Sequence, residues 1–246
     1  MREKRLLDIL NIVRKNGYAT TQELADALDV SLSTVRRDIA ELSENSLVSL
    51  SRNIVVPVAE SAVDRPFNFR SGINAQAKQA ISREAVRLVR SGSTIFLDSS
   101  STVLPMVNML QTLNNLTIIT NGLHVVQRLQ DSRVTVHVIG GEMSALSHGF
   151  YGPITESTLR QFNFDMAFFS PVGVTPAGYA AETTAEAASV RRTAMEQSAC
   201  SVLMFDHTKA GLVRPYNFAH IDEFQYLITD SRHEFVTAAQ LRRVNV

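Results

Sequence analysis

The sequence predicts an α/β protein in two domains, a small helical one over residues 1–56 and a larger one over 74–246 built on a mainly parallel sheet, with a linker at 57–73. Three observations carry that expectation. Residues 19–44 hold two capped helical patterns separated by a tight break. From residue 94 onward, short apolar runs of strand type alternate with helical stretches, the pattern of a mainly parallel α/β sheet. Polar residues gather directly after those runs, where open parallel sheets hold their ligands.

Residues 2–15 read as a first helix, with Leu6, Ile9 or Leu10, and Val13 inside and Gly17 as the stop. Arg2, Lys4 and Arg5 cluster at its start, as contacts to a phosphate backbone or as plain surface charge. Thr20 followed by Glu23 is a capping box, and Leu24, Ala25 and Leu28 share one face of the helix it opens. Asp29-Val30-Ser31 breaks the pattern, and Ser31 is placed to cap the next helix. There Val35, Ile39 and Leu42 point inward, while Ser33 and Arg37 lie opposite, flanked by Thr34 and Arg36. Hydroxyls and guanidinium forks suit phosphates and the acceptor edge of guanine. The pair therefore reads as a helix-turn-helix with residues 32–44 as the recognition helix. On spacing alone, two capped surface helices with a solvated Arg-Arg face account for it equally well. Val48 to Leu50 and Ile54 to Val56 flank Ser51-Arg52-Asn53 as a small hairpin, a wing with Arg52 at its tip.

The residues say more than their spacing. Glu23-Leu-Ala-x-x-Leu-x-Val-Ser-x-x-Thr-Val-Arg-Arg-Asp-Ile39 resembles the N-terminal signature of the DeoR family of bacterial transcriptional regulators, with Val35 where isoleucine is common. The resemblance implies a winged helix-turn-helix that binds operator DNA through Ser31, Ser33, Thr34, Arg36, Arg37 and Arg52. The wing departs from the family's Gly-Gly-Ala ending, since no glycine occurs between Gly17 and Gly72.

Pro57, Pro66 and Gly72 punctuate a segment without sustained period, read as the linker, with Phe67 and Phe69 packing onto one of the domains. A helix then runs from Asn74 through Ile81 and Val89 to Gly92, and strands follow at 94–97, 116–119, 134–139, 165–169, 201–205 and 225–228. A long helix at about 183–198 separates the fourth and fifth of these strands. After the first strand, Asp98, Ser99, Ser100, Ser101 and Thr102 open a helix, where backbone amides and hydroxyls make a seat for a phosphate. Thr120 and Asn121, then Gly140 and Gly141, end the next two strands, and Lys209 offers positive charge after a later one.

These turns, with Gly152 and Asp-x-Thr-Lys at 206–209, resemble the sensor domain of DeoR-type repressors. That resemblance implies a fold similar to ribose-5-phosphate isomerase and CoA-transferase domains, and a phosphorylated sugar or related metabolite as effector. Ser100 stands where the family usually has glycine, and Glu186 lies one place early relative to the family's Glu-Ala-x-Val-Lys-Arg. The alternative is an isomerase-like enzyme with an accessory DNA-binding domain, using Asp98, Asp165, Glu182, Glu186 and Lys209 as acids and bases. Neither the isomerases' Asp-Gly-Ala-Asp nor their Lys-Gly-Gly-Gly occurs, so a non-enzyme is expected.

Composition sets the remaining bounds. Net charge is zero, and residues 1–56 carry eight Lys/Arg against eight Asp/Glu, so attraction to phosphate must come from local placement. Cys200 sits in an apolar run, as a buried small hydrophobe. The six histidines show no metal-ligand spacing, although His207 lies inside a candidate ligand turn, and no cofactor or metal is called for. Neither a signal peptide nor a membrane span is legible, so the expectation is a cytoplasmic protein. It should act as a homodimer or higher homo-oligomer, because one recognition helix rarely gives enough specificity.

Overall fold

The computed structural model describes residues 2–45, 47–57, 67–230 and the backbone of 241–243. It divides into two compact units, Met1–Ile73 and Asn74–Val246.

In the first unit, α1 (Arg2–Asn16) leads into β1 (Ala19–Thr20), α2 (Thr21–Leu28) and α3 (Leu32–Glu44). The chain continues through β2 (Val48–Ser51), β3 (Ile54–Pro57) and α4 (Phe67–Gly72). The capping box at Thr20 is present, with both the Thr20 hydroxyl and the Glu23 carboxylate taking backbone amides. Ser31 caps α3, accepting from the Thr34 amide. Leu6, Ile9, Leu10, Val13, Leu24, Val35, Ile39, Leu42 and Val55 form one buried cluster. Because β1 and β2 both pair with β3, the hairpin closes a three-stranded antiparallel sheet against the helices.

The linker reading needs correction. Residues 58–66 lie outside the described residues, and so does the side chain of Phe69. The rest is not open chain: α4 is helical, Phe67 is buried, and Gly72 fits against Leu7 so closely that a Cβ would sit 2.4 Å from a leucine methyl. Gly72 reads as linker punctuation, but it is the last residue of one short helix instead.

In the second unit the order is α5 (Ala75–Val86), β4 (Thr94–Leu97), α6 (Met106–Leu110), β5 (Thr117–Thr120), α7 (Leu123–Leu129) and β6 (Thr135–Val138). Then come β7 (Glu142–Met143), β8 (Phe150–Tyr151), α8 (Pro153–Leu159), β9 (Met166–Phe169), β10 (Gly173–Val174), β11 (Tyr179–Glu182) and α9 (Ala185–Glu196). The last strands are β12 (Ser201–Phe205), β13 (Tyr216–His220), β14 (Tyr226–Thr229) and β15 (Leu241–Arg243). The main sheet runs β15-β14-β12-β9-β4-β5-β6, and every pairing in it is parallel. Central strands are apolar on both faces, as Ile95, Phe96, Leu97, Phe168, Phe169 and Leu203 show by full burial.

Two parts of this unit differ from the expectation. The strand at 226–229 does not close the sheet, since β15 pairs outside it. A second antiparallel sheet, β10-β11-β13, also stands beside the first, with Phe218 buried from it among Phe169 and Phe224. No described helix is long and apolar enough to cross a membrane.

Candidate DNA interface and effector crevice

α3 separates its residues sharply by face. Val35, Asp38, Ile39 and Leu42 are buried. Ser33, Arg36 and Arg37 are exposed, and Thr34 is half-buried. The Ser31 hydroxyl lies 2.8 Å from that of Ser33 and 2.9 Å from that of Thr34, so the three hydroxyls form one cluster at the helix start. Arg52 is exposed at the tip of the β2–β3 hairpin with φ 58°, in a left-handed conformation that hairpin loops normally give to glycine, asparagine or aspartate.

Asp38 is the residue that the sequence pattern does not single out. It follows two exposed arginines, yet it is 1% exposed. Arg5 of α1 forks onto it, Nε donating to Oδ2 at 2.5 Å and Nη2 to Oδ1 at 3.2 Å. Arg2 adds an ion pair to Asp38 at 3.7 Å and another to Glu41. Arg2 and Arg5 thus both pair with α3, Arg5 the more buried of the two and Arg2 with its side chain 56% exposed. The hydrogen bond to Asp38 holds the Arg5 guanidinium above its ordinary pKa.

In the second unit the polar turns meet at the carboxyl ends of β4, β5, β9 and β12. Asp98 to Thr102 are all buried. They do not open a helix directly: α6 begins at Met106, after a run of turns started by the Leu104 amide donating to the Ser100 carbonyl. Asp98 is a structural hub, its carboxylate accepting from the amides of Ser100 and Ser170 at 2.9 Å each and from Arg191 Nε at 3.2 Å. Ser100 caps the turn by accepting from the Val103 amide, and its φ is not positive, so glycine is not demanded there. Thr120 directs its hydroxyl to the Leu97 carbonyl at 2.7 Å.

Ser101 and Thr102 stand differently, because each meets a lysine. Lys78 of α5, 3% exposed, donates to Ser101 Oγ at 3.2 Å. Lys209 donates to Ser170 Oγ at 2.7 Å and to Thr102 Oγ1 at 3.4 Å. Ser99 shares a hydrogen bond with Tyr151 Oη, which also meets Ser147. Tyr151 links this turn to the glycine pair: a Cβ on Gly141 would lie 2.6 Å from the Tyr151 carbonyl and 2.1 Å from the Thr155 hydroxyl. Thr155 in turn donates to the Gly140 carbonyl. Asn121 donates to the Phe150 carbonyl, while its own oxygen is buried with no hydrogen-bond partner among the described residues.

Lys78, Ser170, Arg191 and Tyr151 were not singled out as site residues from the sequence. For Lys78 a signal existed, since it falls in phase with the buried Ile81, Ser82 and Ala85. Arg191 lies between Asp98 and Glu182, its Nε 3.4 Å from the latter. Burial opposes its charge, but the two carboxylates more than offset that and raise its pKa.

Of the carboxylates of the enzyme alternative, Asp98 and Glu182 meet at Arg191, while Asp165 and Glu186 lie apart from them. Asp165 precedes β9 and accepts from the Thr94 amide at the amino end of β4, the opposite end of the sheet from Asp98. Glu186 is exposed in the first turn of α9. His207 is tied to Asp230, Nδ1 lying 2.6 Å from Oδ2, and that bond raises its pKa. Cys200 is not fully buried, and it lines an open cavity of about 480 Å³ with Arg90, Asp165 and Tyr226, at the amino ends of the strands. No group of three or more metal-ligating side chains occurs among the described residues.

Comparison with known proteins decides what this arrangement belongs to. Residues 73–231 match the DeoR C terminal sensor domain, and residues 5–53 match the DeoR-like helix-turn-helix domain. The chain belongs to the DeoR family. A glycerol-3-phosphate regulon repressor of Escherichia coli is 29% identical, with 91% of this chain and 88% of that one covered. A lactose phosphotransferase system repressor of Staphylococcus epidermidis is 33% identical, covering 92% and 91%. Ribose 5-phosphate isomerase A of Methanocaldococcus jannaschii shows a slight backbone likeness over 56% of this chain and 55% of that one, at 16% identity and a TM-score of 0.42. As a DeoR-family protein, this chain is a DNA-binding transcriptional regulator rather than an enzyme.

Proposed function

We propose that this regulator represses a carbohydrate-metabolism operon and leaves its operator when a phosphorylated sugar or related metabolite enters the crevice at the strand ends. The observation that carries the reading is the pair Lys78 and Lys209, two cations meeting the hydroxyls of Ser101, Thr102 and Ser170. Cations and hydroxyl donors around a water-poor turn are what a phosphate monoester requires. The buried oxygen of Asn121 is an acceptor that a sugar hydroxyl would satisfy. Gly140 and Gly141 are the exposed part of the same rim. The names of the relatives, repressors of a glycerol-3-phosphate regulon and of a lactose phosphotransferase system, agree with this class of effector.

On the DNA side, Arg36 and Arg37 would read base edges, and Ser31, Ser33, Thr34 and Arg52 would fix the protein on the backbone. Two copies would present two recognition helices to two half-sites of double-stranded DNA in the cytoplasm, which makes a homodimer or higher homo-oligomer the working form. The test is a panel of triose, pentose and hexose phosphates, read by melting temperature and by release of a fluorescent operator. One compound should do both and be recovered unchanged; at a hundredfold excess over its dissociation constant it stabilises the fold by about 2.7 kcal/mol. Steady consumption of that compound, or release of DNA by none of the panel, would count against the reading.

A further inference from the structure

The main sheet of the sensor ends on β6, and this edge is unlike the sheet's interior. Ile95, Phe96 and Leu97 of β4 are fully buried, whereas Thr135, His137 and Val138 of β6 are exposed. The amides of Thr135 and Ile139 turn inward, donating to the carbonyls of Leu116 and Thr120 on the β5 side. Backbone amides alternate in direction along a strand, so those of Val136 and Val138 face away from the sheet. No described strand pairs there. An open edge is a template for another strand, and folded proteins guard one with lysine, proline or a bulge. Thr135-Val-His-Val138 contains neither residue, and its register with β5 runs without interruption.

The surroundings of this edge are apolar. Val138, Met143 and Ile154 are all exposed. They lie about one turn, because Thr155, next to Ile154, donates to the carbonyl of Gly140. Exposed apolar side chains gathered in one place mark a surface that another protein covers. Charge indicates which protein. Arg133 precedes β6 and Glu142 follows it, and both are exposed. A strand with a cation before it and an anion after it is complementary to a reversed copy of itself, since each cation then meets the other copy's anion. A twofold axis closes that pairing at two copies.

Resting on the proposed homo-oligomer, we infer that two copies of this chain join edge to edge through β6, antiparallel, so that one sheet continues across the pair. The outward backbone groups of Val136 and Val138 carry the hydrogen bonds. Side chains opposite one another must share a face, so a twofold axis at His137 sets Val136 of each copy against Val138 of the other. Arg133 then falls beside Glu142 of the second copy, at both ends. β6 also leads directly into Gly140 and Gly141, the rim of the proposed crevice. A ligand that reshapes this rim therefore acts next to the contact between the copies.

The test is analytical ultracentrifugation of the full chain, with each variant checked for folding by circular dichroism. Val138→Lys sets a charge on the edge, and Val136→Pro removes an outward donor without touching the pairing to β5. Each should raise the dissociation constant of the assembly about tenfold or more. Arg133→Glu should also weaken association, and Arg133→Glu combined with Glu142→Arg should restore it, which a merely damaged edge would not do. Wild type that sediments as a monomer sinks the homo-oligomer reading and this inference together. An oligomer that neither edge variant weakens leaves the homo-oligomer standing and overturns its placement on β6. A double charge reversal that fails to restore association overturns the antiparallel pairing.

Discussion

In the DNA-binding unit Arg36 and Arg37 stand exposed on α3, while the next residue, Asp38, is buried and paired with Arg5 of α1. In the sensor the arrangement is inverted: Arg191 is itself buried, held between the equally buried Asp98 and Glu182. An exposed guanidinium keeps its hydration and can exchange it for a phosphate or a base, so it serves recognition. A buried one has lost water already, and its energy is tied to the partners that replace it. On the proposed DNA reading, the same side chain is a ligand-reading group in one unit and a structural hub in the other.

The comparison can be broken first at the hub. Arg191→Ala leaves two carboxylates buried without their cation, so the sensor should lose about 3–5 kcal/mol, measured by urea unfolding. A loss under about 1 kcal/mol would show that water reaches Asp98 and Glu182 and that the site is not dry.

The crevice lysines should come next. A hydrogen bond to a charged group is worth about 1.5–3 kcal/mol, so Lys209→Ala should weaken a releasing sugar phosphate by about ten- to a hundredfold. Operator affinity without effector should stay near wild type, giving a protein that remains on DNA at concentrations that release the parent. Release at the wild-type concentration would place the effector elsewhere.

Arg36→Ala and Arg37→Ala test the exposed face. Loss of a base contact costs roughly 1–3 kcal/mol of operator affinity with relaxed specificity at that position, read by gel shift on a mapped operator. Two variants of unchanged affinity would move the reading residues off this part of α3.

The smallest expected change is a null. A phosphate contact adds about 0.9 to the slope of log affinity against log salt. Arg5 faces Asp38, so Arg5→Ala should weaken DNA binding by loosening α3 while leaving that slope as it was. A slope shallower by about one unit would reassign Arg5 to the backbone.

Much of this was legible along the chain because local chemistry states it. Thr20 with Glu23 and Ser31 with Thr34 announce helix starts by short-range capping, and α2 and α3 begin where those residues fall. Apolar runs such as Ile95 to Leu97 announce buried parallel strands. What stayed hidden depends on partners far apart in sequence. Arg191 meets Asp98 across 93 residues, and Asp38 meets Arg5 across 33. Neither pairing leaves a local trace, and charged residues are read by default as solvated. β13 escaped for a different reason: Tyr216 and Asn217 are exposed, so its apolar signal is only the short stretch at Phe218 and Ala219. The site residues themselves divided along the same line. Ser101 and Thr102 meet lysines, whereas Asp98, Ser100 and Thr120 chiefly build the turn that holds them.

The clamp of Arg2 and Arg5 onto Asp38 and Glu41 also bears on how the protein searches a chromosome. With eight cations against eight anions in residues 1–56, and two of those cations engaged internally, little positive charge is left over for indiscriminate contact. Non-specific affinity for DNA comes almost wholly from such charge. A chain built this way should dwell only briefly on unrelated sequence, so that a small number of copies can keep one operator occupied amid millions of competing sites. The ratio of operator to random-sequence affinity at physiological salt measures this directly, and Asp38→Asn, which frees Arg5 while Arg2 keeps Glu41, should lower it from both ends.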